Sequence, residues 1–151
     1  EGASKRAQNP LADALFARPA VSDDERAAVA QVLAPTGSLL WVAREEDLDA
    51  VTALSGSGPA YVFFFLEAMV EAGTQMGLSA DQSRRLAQET FAGAAQLAMQ
   101  SDESPALLRE RVTSKGGTTH AAITSLEASQ VKAAFIKALH AARSRAEELG
   151  R

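Results

Sequence analysis

Two glycine-bearing runs hold the residue types best suited to gripping a small anion. One is Ser55-Gly56-Ser57-Gly58-Pro59-Ala60-Tyr61, the other Thr113-Ser114-Lys115-Gly116-Gly117-Thr118-Thr119. Each puts bare backbone and hydroxyl groups where a helix is expected to open. A helix start has unpaired N–H groups and a partial positive charge, so it can hold a carboxylate. In the second run Gly116 and Gly117 permit close approach. Their N–H groups, with those of Thr118 and Thr119, can form an anion nest. The hydroxyls of Ser114, Thr118 and Thr119 add donors, and Lys115 adds positive charge. On physics alone, the first run reads rather as a helix cap with glycines for a tight bend, and the second equally as a loop with a cap.

Neither run matches a common catalytic motif. A nucleophile elbow at Ser57 would need glycine where Ser55 stands. Gly56-Ser57-Gly58 has no strand directly before it and stops short of the dinucleotide fingerprint. The second run is no phosphate-binding P-loop, because Lys115 precedes its glycines. His120 and His140 fall on different expected helices, with no second histidine at i+4 and no carboxylate at metal-ligand spacing. Both read as surface or partly buried side chains, although His120 adjoins the nest. Glu67 and Glu71 read as a solvent stripe on a helix rather than an acid–base pair. No catalytic residue and no metal ligand is assigned.

The chain has 151 residues, 46% hydrophobic and 23% charged, ordinary values for a globular protein of one domain and a smaller piece. The net charge of −4 and the pI near 5.2, without a basic cluster, argue against a nucleic-acid surface. With no cysteine, disulfides and thiolate metal sites are excluded, and cytosol is the default compartment. The densest apolar run, Pro59 to Leu66, meets Glu67 well short of the roughly 20 residues a spanning helix needs, so no membrane span is expected. Glu1 to Arg6 leads into Ala-Gln-Asn-Pro rather than an apolar core, so no signal peptide is expected. Glu1 to Leu11 has no clear period and no initiator methionine, and reads as the interior of a longer protein.

Positioning these runs falls mostly to helices. Ala12 to Ala17 suggests a short strand. Ser22 with Glu25 makes a capping box, and Val29, Val32 and Leu33 follow at helical spacing up to Pro35-Thr36-Gly37. Ser38 to Ala43 reads as a buried strand. After Arg44 strand signals cease. Helices are expected over Glu45–Ala53, Pro59–Met76, about 80–100 behind the capping box Ser79–Gln82, Pro105–Arg111, from Thr118 or Thr119 through Glu127, and about 130–149. Phe63, Phe64, Phe65, Leu66, Met69 and Val70 leave the 59–76 helix apolar around most of its circumference. Such a helix must be buried on several sides, in a small domain often by a partner chain.

The stretch Leu48-Asp49-Ala50-Val51-Thr52-Ala53-Leu54-Ser55-Gly56-Ser57-Gly58-Pro59-Ala60-Tyr61 resembles pyrroline-5-carboxylate reductases at the start of their C-terminal domain. Val112 to Thr119 resembles that family's second signature, and the spacing and helix order agree from about Ala14 to Leu149. The resemblance implies a mainly α fold. An all-helical domain over 45–151, like the C-terminal domain of 6-phosphogluconate dehydrogenase, would follow a short α/β remnant of a Rossmann domain over 1–44. It implies reduction of 1-pyrroline-5-carboxylate to L-proline by NADPH or NADH in the cytoplasm, the last step of proline biosynthesis. It also implies a homodimer through the 59–100 helices, with dimers that assemble further.

By the same resemblance the substrate carboxylate would lie on the N–H groups of Gly117 and Thr118 and the Thr119 hydroxyl. Ser114 and Gly116 would shape that loop. Ser55, Gly56, Ser57, Gly58 and Pro59 would face the cofactor's nicotinamide end. Lys115 departs from the family, which usually has proline there. The strand-Gly-x-Gly-x-x-Gly-helix unit is absent, so these residues alone are expected to bind no dinucleotide and to be inactive. Two other readings stay open: a helical oligomerisation module whose glycine runs only cap helices, and the helical domain of another dehydrogenase, for which Lys115 would be the candidate catalytic lysine.

Overall fold

The structure is a computed structural model that describes residues 13–150. The expectations for Glu1 to Leu11, and for Ala12 within the first strand, lie outside those residues. In chain order the elements are β1 (Asp13–Phe16), α1 (Asp23–Leu33), β2 (Leu39–Val42), α2 (Asp47–Val51), α3 (Gly58–Gln75), α4 (Ala80–Gln100), α5 (Pro105–Arg111), α6 (Thr118–Ala128) and α7 (Val131–Leu149). The fold is mainly α, as expected. Two compact units are present: one runs to Pro59 and resumes at Ala138, the other is Ala60–Lys137. The boundary expected between residues 44 and 45 falls inside the first unit.

In the first unit β1 and β2 pair in parallel, Asp13 opposite Leu39 and Phe16 opposite Val42. Parallel neighbours need a crossover, and α1 supplies it. Its capping box forms as the sequence predicts: the Glu25 amide donates to the Ser22 hydroxyl at 3.3 Å, and the Ser22 amide to the Glu25 carboxylate at 2.8 Å. The Ser22 hydroxyl also donates to the Glu25 carboxylate, at 2.9 Å, and the Ser22 amide and hydroxyl together hold that carboxyl below its ordinary range. β2 departs from expectation. Leu40 and Trp41 are 52% and 37% exposed rather than buried. An apolar run signals a tendency to be covered, but two strands offer little cover of their own. The Arg26 guanidinium lies 5.8 Å from the Trp41 ring centroid, within cation–π range.

α2 is shorter than the expected 45–53 because the chain passes from it into one π-helical turn, Thr52–Gly56. The start of α2 is held by Arg44, whose guanidinium donates to Asp47 at 2.6 Å. That hydrogen bond lowers the Asp47 carboxyl and raises the guanidinium from their ordinary values.

In the second unit α3 stops at Gln75, ahead of Gly77, which takes φ +98°. The Gly77 amide donates to the Thr74 carbonyl and the Leu78 amide to the Gly73 carbonyl, a Schellman stop. Ser79 and Gln82 form the capping box that opens α4. α3 and α4 meet at Gly73, where a Cβ would stand 2.6 Å from the Ser83 hydroxyl oxygen. Ser83 and Ala87 are the buried residues of α4. Phe135 of α7 takes Tyr61 and Phe65 of α3 edge-on, each at 5.6 Å. Phe63 and Phe64 are instead 60% and 67% exposed, so the described residues do not bury α3 on all sides.

The helical stretch Asp47–Gln75 is long and apolar enough, by length and composition, to cross a membrane. The expectation that no stretch would qualify stopped at Glu67. A core helix of a protein in water has the same length and composition, and this one carries Asp47, Asp49, Glu67 and Glu71.

Candidate functional site

The two glycine runs belong to different units, Ser55 to Pro59 to the first and Thr113 to Thr119 to the second. Each has its own local geometry.

Ser114 to Gly117 forms one tight turn. The Gly117 amide donates to the Ser114 carbonyl at 3.0 Å, and Gly116, third in the turn, takes φ +76°. That is the type II pattern, which needs φ > 0 at its third position and so favours glycine. Gly117 is extended, with φ −80° and ψ 177°, a conformation open to any residue. Its bareness has a different cause: a Cβ there would sit 2.6 Å from the Ser114 hydroxyl oxygen and 3.2 Å from the Ser114 carbonyl oxygen.

The approach to this turn is fixed by α5. Ser104 caps α5 and Pro105 starts it. At its end the Thr113 hydroxyl donates to the Arg109 carbonyl at 2.6 Å and the Thr113 amide to the Glu110 carbonyl at 2.9 Å. Arg109 pairs with Glu127 at 3.5 Å, and Arg111 with Glu103. Lys115 is exposed and has no ion-pair partner among the described residues.

α6 then begins with Gly117 as its N-cap residue, and no side chain caps it. The sequence expectation had Thr118 or Thr119 as the cap. Both lie inside the first turn instead, Thr118 exposed and Thr119 half-buried. The Ala121 amide makes the first helical bond, to the Gly117 carbonyl. The amides of Thr118, Thr119 and His120 therefore point out of the helix start without an i−4 acceptor. One expectation changes. The Gly117 amide is already engaged by Ser114, so the helix-start amides left to meet an anion are those of Thr118, Thr119 and His120. A recess of about 430 Å³ between α5 and α6 reaches Thr113 and Ile123 but is not lined by those amides. His120 is exposed, and its carbonyl accepts from the Thr124 hydroxyl at 2.8 Å.

Ser55 to Pro59 leaves a π turn and bends at Ser57, directly before α3 opens at Gly58. The Ser57 amide donates to the Thr52 carbonyl at 2.8 Å, closing the π turn, and Ser57 itself is right-handed helical. The bend is where the sequence places it, but it does not rest on the conformational freedom of the glycines. Neither Gly56 nor Gly58 has positive φ, and a Cβ at Gly58 would meet nothing within 4 Å. π turns tend to sit at functional positions, and no sequence signal here announced one.

A pyrophosphate does not fit the βαβ unit. The start of α1, where such a group would sit, is closed by its own capping box and carries Asp23, Asp24 and Glu25 in its first turn. Three carboxylates and occupied amides repel an anion. No hydride-transfer step is therefore assigned to the described residues.

Comparison with known proteins adds the context. Residues 45–149 match the family described as pyrroline-5-carboxylate reductase dimerisation. The chain is 46% identical over 138 residues to a pyrroline-5-carboxylate reductase of Pseudomonas aeruginosa, covering 91% of this chain and 50% of that protein. It is 46% identical over 123 residues to the one from Corynebacterium melassecola, covering 82% and 45%. The solved structure of a pyrroline-5-carboxylate reductase from Coxiella burnetii superposes with TM-score 0.86 at 42% identity, covering 91% of this chain and 51% of that one. A Plasmodium falciparum pyrroline carboxylate reductase solved with NADP bound superposes at 0.82 and 29% identity, covering 91% and 57%. The chain spans about half the length of the curated relatives it matches.

Proposed function

The chain belongs to the pyrroline-5-carboxylate reductase dimerisation family, and from that premise we propose that it is the substrate-holding and dimer-forming part of such a reductase. The whole enzyme reduces 1-pyrroline-5-carboxylate to L-proline in the cytoplasm, with NADPH or NADH supplying the hydride. Residues 45–151 form the helical domain, and residues 1–44 the closing part of the dinucleotide-binding domain. The observation that carries this reading is the uncapped start of α6 beneath the Ser114–Gly117 turn.

These residues orient rather than react. A cyclic imine carrying a carboxylate can be held by its charged end, and the amides of Thr118 and Thr119 with the Thr119 hydroxyl offer that grip without an acidic side chain at hand. Ser114, Gly116 and Gly117 aim them. Once bound, a protonated imine is already electrophilic, so geometry is the protein's main contribution. Ser55, Gly56, Ser57, Gly58 and Pro59 face the nicotinamide end of the cofactor. The bare backbone at Gly58, with open space around it, supports a close approach from outside the chain. The exposed Phe63 and Phe64 of α3 are covered by a second copy in a homodimer, which can assemble further.

The test is titration of L-proline into the protein with the backbone amides followed by NMR. Saturable shifts are expected at Thr118 and Thr119, with smaller ones at Gly117, whose N–H is already engaged. Silence at all three overturns the binding site and leaves a helical oligomerisation module, a reading favoured by the amides' lying outside the recess beside Thr113.

A further inference from the structure

Three of the four residues in the Ser114–Gly117 turn have a local reason to be what they are. The Ser114 carbonyl accepts the turn's hydrogen bond, Gly116 supplies φ +76°, and Gly117 leaves room for the Ser114 hydroxyl. Lys115 has no such reason. Its place, second in a type II turn, favours proline, whose fixed φ lowers the entropy lost on folding. Lysine instead brings a long, flexible stem that costs entropy whenever it is held still. A residue chosen against the preference of its own turn points to a use outside the turn.

The charges nearby narrow that use. Every ion pair among the described residues is made by an arginine. Just ahead of the turn Arg109 is paired with Glu127 and Arg111 with Glu103. Lys115 is exposed and pairs with no carboxylate of the described residues. From Val112 to Leu126 the sequence holds no acidic residue, although acids outnumber Lys and Arg by 19 to 15 in the chain. The first turn of α6 is likewise free of acids, whereas α1 and α4 carry them there. An uncompensated cation therefore stands two residues before the Gly117 cap, ahead of amides that lack an i−4 acceptor. Three Cα steps separate Lys115 from Thr118, so the backbone between them spans at most about 11 Å. A four-carbon stem can close much of that gap.

We propose that Lys115 is the specificity-determining residue of the α6 grip: its ammonium selects ring ligands that carry an ionised carboxylate over neutral ligands of the same shape. This rests on the reading of the α6 start as the carboxylate site, and adds the group that sets its preference. Backbone N–H groups donate to a carboxamide oxygen as well as to a carboxylate, and the partial charge of a helix start favours the anion only modestly. A full charge close by discriminates further. Two opposite unit charges about 6 Å apart gain roughly threefold in affinity at the dielectric constant of water and about a hundredfold at an effective value of 20. An exposed lysine belongs near the lower end, so about threefold to tenfold is expected at low salt. Added salt removes that gain, since the screening length falls from about 30 Å at 0.01 M to about 3 Å at 1 M.

The test uses two probes of one shape, tetrahydro-2-furoate and tetrahydro-2-furamide. They share a five-membered ring and differ in charge, and neither has the ammonium of proline, which Lys115 would repel. Each is titrated into the wild-type protein, Lys115→Gln and Lys115→Arg, with the Thr118 and Thr119 amides followed by NMR. Support is a wild-type preference for the furoate that fades between about 0.01 M and 1 M NaCl. That preference falls about threefold to tenfold in Lys115→Gln and returns in Lys115→Arg, while furamide affinity stays unchanged. Furoate binding indifferent to salt in the wild type overturns the proposal, as does a preference that survives in Lys115→Gln. Equal losses for both probes in Lys115→Gln overturn it too, because the lysine would then support the turn rather than read charge. Inorganic phosphate that binds more tightly than the furoate and depends more on Lys115 would assign the charge to a phosphate, again overturning it. If neither the furoate nor L-proline shifts those amides in the wild type, the grip itself is refuted and the proposal with it, a failure distinguishable from the others.

Discussion

Gly117→Ala isolates the steric lock at the proposed carboxylate grip. Gly117 has φ −80° and ψ 177°, so alanine meets no backbone objection. The obstacle is local: the new Cβ would stand 2.6 Å from the Ser114 hydroxyl oxygen and 3.2 Å from its carbonyl oxygen. The first distance is roughly 1 Å inside ordinary contact, so the turn must shift. Overpacking of this kind costs about 1–3 kcal/mol, and alanine is also a poorer N-cap than glycine. Any shift turns the Thr118 and Thr119 amides that follow, so L-proline affinity falls with stability, by about tenfold for a misalignment worth 1.4 kcal/mol.

Ser114→Gly removes the hydroxyl and leaves only the 3.2 Å contact. Placed on that background, Gly117→Ala has its overpacking cost cut by about half, a coupling of about 0.5–1.5 kcal/mol between the two positions. The assay is a double-mutant cycle read twice, by urea unfolding and by amide-detected proline titration. Additive costs in both readouts would refute the reasoning, because the penalty would then not arise from Ser114. A Gly117→Ala variant that binds proline as tightly as wild type would refute the link between the turn and the ligand.

Other outcomes follow from the same geometry. Lys115 is second in a type II turn, where proline is favoured, so Lys115→Pro should raise stability by about 0.4–1 kcal/mol through the unfolded state; a lowered melting temperature would show that the turn is of another type. Phe64→Glu places a charge on a ring that is 67% exposed in one chain and, on the proposed reading, covered in the dimer. Covering the exposed part of a phenylalanine removes about 100–170 Å², or roughly 2.5–4 kcal/mol per copy, so sedimentation should show the dimer lost at micromolar concentration, and a dimer of unchanged Kd would exclude α3 from the interface. The Glu25 and Asp47 carboxyls are held below their ordinary values of 4.5 and 3.8, so what they add to folding is present above those values and fades as pH falls through the lowered ones. Unfolding followed from pH 7 to 3 should therefore weaken only in the acid range, and less steeply in Glu25→Gln; an unaltered slope would show that the capping box is not its source.

Much of this architecture is written in local chemistry. Ser22 with Glu25, Ser79 with Gln82, Pro105 and Gly77 each set a helix end through bonds spanning a few residues, so the sequence determined those elements within a residue or two. The two signature runs likewise pointed to the family before any coordinates. Tertiary structure decided what depends on the space around a residue. It showed Gly117 bare because of Ser114, the Gly117 amide already engaged, and a π turn leading into the bend at Ser57. Letters record which side chain is present; only three-dimensional packing shows what stands where a missing one would have been.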